Sequence, residues 1–73
     1  NLIDAVFIGT KLNEVDLSWA NLSGANLKNA DLTGANFTNA DIKTTKNLKK
    51  ALNADKAIGL ERAAKKKGFF KKR

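Results

Sequence analysis

The stretch that decides the fold runs from Ala20 to Asn39: Ala20-Asn21-Leu22-Ser23-Gly24, Ala25-Asn26-Leu27-Lys28-Asn29, Ala30-Asp31-Leu32-Thr33-Gly34, Ala35-Asn36-Phe37-Thr38-Asn39. Each block of five carries Ala first, Asn or Asp second, Leu or Phe third, and Gly or Asn fifth. The register runs outward in both directions. Large apolar residues recur at Leu2, Phe7, Leu12, Leu17, Leu22, Leu27, Leu32, Phe37 and Ile42 without a slip.

A step of five suits neither ordinary template. On an α-helix it advances the side chain by about 500°, a drift of about 140° per block, so the leucines would spiral over every face. On a flat strand an odd step throws every second leucine to solvent. The pattern works if the chain turns a corner once per block. Ala20 and Leu22 then face inward, Asn21 faces outward, and Ser23-Gly24 makes the turn. Gly9, Gly24, Asn29, Gly34 and Asn39 hold the fifth position, where a tight turn often needs positive φ, and Gly and Asn tolerate that conformation best. Proline is absent, so no donor is missing from a ladder between coils.

These residues resemble the pentapeptide-repeat family, whose pattern is written A-(D/N)-L-x-x. The resemblance covers roughly residues 1–44 and implies a mainly β fold, a right-handed, four-sided parallel β-helix of about two coils, with four blocks to each coil. It stacks Leu2, Leu22 and Ile42 on one side, Leu17 with Phe37, Phe7 with Leu27, and Leu12 with Leu32. Thr10 and Val15 stand where Ala is usual, and Val6 and Lys11 where Asn or Asp is usual, so the first coil is expected to be wider and less regular than the second. A solenoid this short generally needs further repeats or a cap. Further coils upstream, a partner or a closely docked C-terminal segment are therefore expected, and a start in register at Leu2 without Met suggests a fragment or processed product.

After Ile42 the fivefold register stops. Leu48, Ala51 and Leu52 have short helical spacing that Thr45 or Asn47 could cap, and Asn53 or Asp55 could open a second helix ended by Gly68. The expected organisation is a solenoid over 1–44, an α-helical cap over 45–68 and a basic aromatic tail over 69–73. The cap would lay Leu48, Leu52 and Ile58 against the open end of the rod, near Phe37 and Ile42. Such a cap would cover the unpaired strand edges there.

Charge divides the chain. Residues 1–42 carry Asp4, Glu14, Asp16, Asp31 and Asp41 against Lys11 and Lys28, a net of −3; residues 43–73 carry ten Lys and two Arg against Asp55 and Glu61, a net of +10. The formal +7 is therefore a property of the C-terminal part. There is no Cys and no His, which removes disulfides, thiol chemistry and histidine bases together. No apolar run approaches a membrane span.

The outward Asn21, Asn26, Asp31, Asn36 and Asp41 point in different directions around the square, so they do not converge on a metal or sugar. No pair of carboxylates shares a pocket, and no motif recruits a cofactor, phosphate or metal. The expectation is a non-catalytic interaction scaffold within a longer protein or larger assembly, with no cofactor. Trp19, at a corner, either lies flat over its own turn or anchors a protein partner. Lys65, Lys66, Lys67, Phe69, Phe70, Lys71, Lys72 and Arg73 either form a solvated end or bind an anionic partner. Among such partners an anionic membrane surface ranks ahead of nucleic acid. Some family members resemble B-DNA and protect topoisomerases from quinolones, but those rods are long and strongly acidic, which this one is not. The repeat is also similar to sequences abundant in cyanobacteria and chloroplasts; nothing in the residues sets a compartment.

Overall fold

The computed structural model describes residues 1–60. They form three turns of a four-sided coil. Parallel bridges join Val6 to Asn26, Lys11 to Asp31, Asp16 to Asn36 and Asn21 to Asp41, each across twenty residues. Side 1 comprises residues 1–4, 20–24 and 40–44. Side 2 comprises 5–9, 25–29 and 45–50, side 3 comprises 10–14, 30–34 and 51–56, and side 4 comprises 15–19, 35–39 and 57–60.

Each five-residue side closes in the same way. The N–H of the first residue of the next block donates to the carbonyl of the central apolar residue, as in Ala25 to Leu22 at 3.0 Å and Ala30 to Leu27 at 3.0 Å. In the first two coils the fifth residue carries positive φ, 72° at Gly24 and 59° at Asn29, as a type II turn requires; Thr44, which ends side 1 of the third coil, does not. With the chain turned there, the central N–H and the outward residue's carbonyl lie along the rod axis and pair between coils, as in Leu12 to Asp31 at 2.9 Å. The first coil, expected to be irregular, keeps this turn at every corner even though Asp4, Glu14 and Trp19 hold the fifth position there, with φ of 61°, 60° and 65°. Its departure is in packing: Leu2, Ala5, Phe7 and Thr10 are only partly buried and Val15 is exposed.

Inside, Leu22, Leu27, Leu32 and Phe37 of the second coil are fully buried together with Ala25, Ala30 and Ala35. Coils above and below cover each of them, and each buried leucine contributes about 1.5–3 kcal/mol relative to exposure. No buried side-chain nitrogen or oxygen among the described residues lacks a partner.

The expectation of an α-helical cap from Thr45 is corrected over residues 45–59; Leu60 is helical, and the remainder of that segment lies outside the described residues. The chain instead makes a third coil. Lys46 bridges to Asn26, Leu52 to Asp31 and Ile58 to Asn36, at separations of twenty, twenty-one and twenty-two residues. The register has changed from five to six: Thr45-Lys46-Asn47-Leu48-Lys49-Lys50, then Ala51-Leu52-Asn53-Ala54-Asp55-Lys56, then Ala57-Ile58-Gly59-Leu60. One residue is inserted before the central apolar position, and it takes the left-handed conformation, at φ 59° for Asn47 and Asn53 and 76° for Gly59. Single 3₁₀ turns, Leu48–Lys50 and Ala54–Lys56, then close the first two of these sides. Leu48, Ala54 and Leu60 face the interior and are buried, whereas Leu52 and Ile58 are exposed at outward positions. Thr45 takes an alanine's place by donating its hydroxyl to the Leu22 carbonyl at 3.0 Å.

Two outcomes separate this coil from a docked helix. Leu48→Asp should lower stability by several kcal/mol by placing a charge in the core, while Leu52→Lys should change it by less than about 0.5 kcal/mol; a circular-dichroism melt in which Leu52→Lys is the worse variant contradicts the third coil. Gly59 also sits against the neighbouring coil, where an added Cβ would lie 2.7 Å from the Thr38 nitrogen, whereas at Gly9 it would meet nothing within 4 Å. Gly59→Ala should therefore cost more than the roughly 1–2 kcal/mol of left-handed strain that Gly9→Ala carries, and equal melting shifts for the two would remove the close approach.

Candidate interaction surfaces

The outward residues divide into those engaged with their own backbone and those left to solvent. At the second position of a block, an Asn or Asp side chain accepts the backbone N–H two residues on. This is seen for Asp16 with Ser18 at 3.0 Å, Asn21 with Ser23 at 3.0 Å, Asn26 with Lys28 at 3.1 Å, Asp31 with Thr33 at 3.1 Å and Asn36 with Thr38 at 3.0 Å. Where Ser or Thr follows, its hydroxyl donates to the same oxygen, at 2.6 Å for Ser18 and 2.7 Å for Ser23 and Thr33. These side chains brace the approach to each corner. In the third coil the inserted asparagines reach up to the same row. Asn47 Nδ2 donates to Asn26 Oδ1 at 2.8 Å, and Asn53 Nδ2 donates to Asp31 Oδ1 at 3.1 Å.

The acids of this network are held as carboxylates. The Thr33 hydroxyl, the Asn53 amide and the Thr33 N–H together hold Asp31 well below the usual carboxylate range, and the Ser18 hydroxyl and N–H lower Asp16. A hydroxyl at position 33, to which the repeat pattern assigns no role, is thus the main support of Asp31. Among the described residues no three His, Cys, Asp or Glu gather as a metal site, and no helix is long and apolar enough to cross a membrane.

Trp19 is different. The residue is 76% exposed, so it does not lie flat over its turn, and its φ of 65° places a bulky side chain where most corners have Gly or Asn. The other sequence-expected contact residues, Lys65, Lys66, Lys67, Phe69, Phe70, Lys71, Lys72 and Arg73, lie outside the described residues. Sequence reasoning passed over Lys46, Lys49, Lys50 and Lys56 as contact residues, because they were assigned to a helix; the six-residue spacing of Asn47, Asn53 and Gly59 is the signal that places them on the rod.

A depressed folded pKa adds stability that is fully present above the unfolded value and is lost as pH falls through the folded one. Asp31 should therefore remain ionised at about pH 3, where an ordinary aspartate is mostly protonated. Thr33→Val should bring its titration back toward the ordinary range. Carboxyl ¹³C shifts followed through the acid range test this, and an unchanged Asp31 midpoint in Thr33→Val would reassign the cause.

Three comparisons bear on this geometry. Among curated proteins, none matches the chain significantly. The solved structure of a pentapeptide repeat protein, Rfr23, from the cyanobacterium Cyanothece 51142 is similar over 75% of this chain, with 38% identity and a TM-score of 0.68. The chain spans 37% of that protein's length. The family model described as pentapeptide repeats matches eight copies over residues 1–43, the same blocks whose corners and ladder are described above. The chain belongs to the pentapeptide-repeat family.

Proposed function

We propose that the chain is a non-catalytic scaffold that docks onto a protein partner in a larger assembly, with Trp19 as its anchor. Pentapeptide-repeat proteins are generally non-enzymatic structural repeats, and the outward Asp16, Asn21, Asn26, Asp31 and Asn36 of this one brace corners rather than share a pocket. Exposed Trp19 is the observation that carries the reading. Left-handed backbone at a non-glycine residue costs roughly 1–2 kcal/mol, and the indole recovers little of it by packing within the chain. A strained, exposed tryptophan is the kind of residue that supplies a buried anchor once a partner covers it.

Attachment to an anionic membrane through Lys65–Lys67 and the Phe69-Phe70 pair is the second reading, supported by the density of positive charge there. Mimicry of DNA, already disfavoured by the mild charge of residues 1–42, loses further support. With the third coil included, residues 1–60 carry seven lysines against six acids, so the rod is close to neutral.

Trp19→Gly should raise the melting temperature by relieving the corner while abolishing attachment to the partner. A photo-crosslinking residue placed at Trp19 in the cells that make the protein should give one discrete protein adduct, absent when the same residue replaces Asn39. A Trp19→Gly chain that is less stable, or identical diffuse adducts from both positions, would return Trp19 to a structural role.

A further inference from the structure

Side 2 of the rod collects charge of one sign. The bridges Val6–Asn26 and Asn26–Lys46 define a column down its middle, with coils stacked about 4.8 Å apart. Its outward residues are Val6 and Ile8 on the first coil, Asn26 and Lys28 on the second, and Lys46, Lys49 and Lys50 on the third. All four lysines are exposed, and Val6 and Ile8 are 70% and 52% exposed. Residues 5–9, 25–29 and 45–50 contain no Asp or Glu. Asp4 and Asp41 belong to side 1, and Glu14, Asp31 and Asp55 to side 3. Four positive charges therefore lie on one side of a rod whose remaining described residues sum to −3.

The six-residue register is what assembles this row. Asn47 takes the left-handed conformation and ties its amide to Asn26, so Lys46 stays in the column while Lys49 and Lys50 follow at the corner. The ladder holds the lysines and the two aliphatic residues on one flat face.

We propose that side 2 is a membrane-facing surface that lies flat on an anionic bilayer, with Lys28, Lys46, Lys49 and Lys50 at the headgroups and Val6 and Ile8 entering the interface. The residue types select this partner. Protein hot spots and single-stranded nucleic-acid grooves favour arginine and aromatic rings, and the outward positions of side 2 have neither, its one aromatic, Phe7, packing against the core. Lysine, a point charge on a flexible apolar stem, suits diffuse attraction to a charged surface above an apolar layer. The surface shares no residue with Trp19 or with Lys65–Lys67 and the Phe69-Phe70 pair, so it stands or falls apart from both readings above.

The test is co-sedimentation of the full chain with vesicles of phosphatidylcholine alone and of phosphatidylcholine with phosphatidylserine. Binding is expected only to the anionic vesicles, weakening as salt rises. Each lysine near such a surface is worth about fivefold in partitioning. The variant Lys28→Gln/Lys46→Gln/Lys49→Gln/Lys50→Gln should therefore bind at least about a hundredfold more weakly. Lys11→Gln/Lys56→Gln, on side 3, should change binding no more than a few fold, Val6→Ser/Ile8→Ser should remove the part that survives high salt, and Trp19→Gly should leave binding intact. Circular dichroism checks the fold, and if the fourfold variant unfolds, Lys46→Gln/Lys49→Gln gives the same reading at about twenty-five-fold. Unaltered vesicle binding by a folded lysine variant would overturn the proposal and shift the contact to the tail. So would tight binding to a duplex oligonucleotide or an acidic protein without binding to anionic vesicles.

Discussion

The first two coils depend on one constraint: each of their sides must place its last residue in the left-handed region, at the point where the chain changes direction. Positive φ at that point brings the carbonyl of the central residue onto the next N–H and leaves the remaining polar groups of the side directed along the axis. Those groups then meet their counterparts in the next coil. Core packing follows from the same geometry, because the turn brings a small residue and a large apolar one inward on every side. Gly and Asn meet the constraint at little cost, which is why they punctuate the sequence. Asp4, Glu14 and Trp19 meet it at a greater one, and all three sit in the first coil.

Much of this was legible in the residues, because two independent patterns agreed over residues 1–44. The apolar spacing demanded a corner every five residues, and the Gly and Asn positions supplied it. The third coil was not legible by the same rule. Leu48, Ala51, Ala54, Ala57 and Leu60 recur every three residues, close enough to the 3.6 of an α-helix to resemble one face of it. What distinguishes the coil is the row Asn47, Asn53, Gly59, six apart, which a helix has no use for. Leu52 and Ile58 strengthened the wrong reading, since apolar residues at outward positions look like core until the corner is placed.

Function was less legible than fold for a physical reason. The backbone makes strict demands on inward and corner residues and few on the outward ones, so the repeat pattern carries little information about surfaces. The outward Asn and Asp are a partial exception. Their role is local, and the hydroxyls of Ser18, Ser23, Thr33 and Thr38 share it. What is left after that bracing is a short set of residues, Trp19 and the side 2 lysines among them, that the fold itself does not require.

The change from five residues to six has a genetic consequence. The ladder between Asn26 and Lys46, Asp31 and Leu52, and Asn36 and Ile58 persists although each later side has gained a residue. The added residue needs only to accept left-handed backbone, which Asn or Gly does. A one-codon insertion at that place widens the perimeter and leaves the hydrogen-bonded spine in phase, whereas the same insertion at an inward position would turn the core outward. Repeat length in such a rod can therefore drift side by side under mutation, and a reading frame of fives can end well before the coil does.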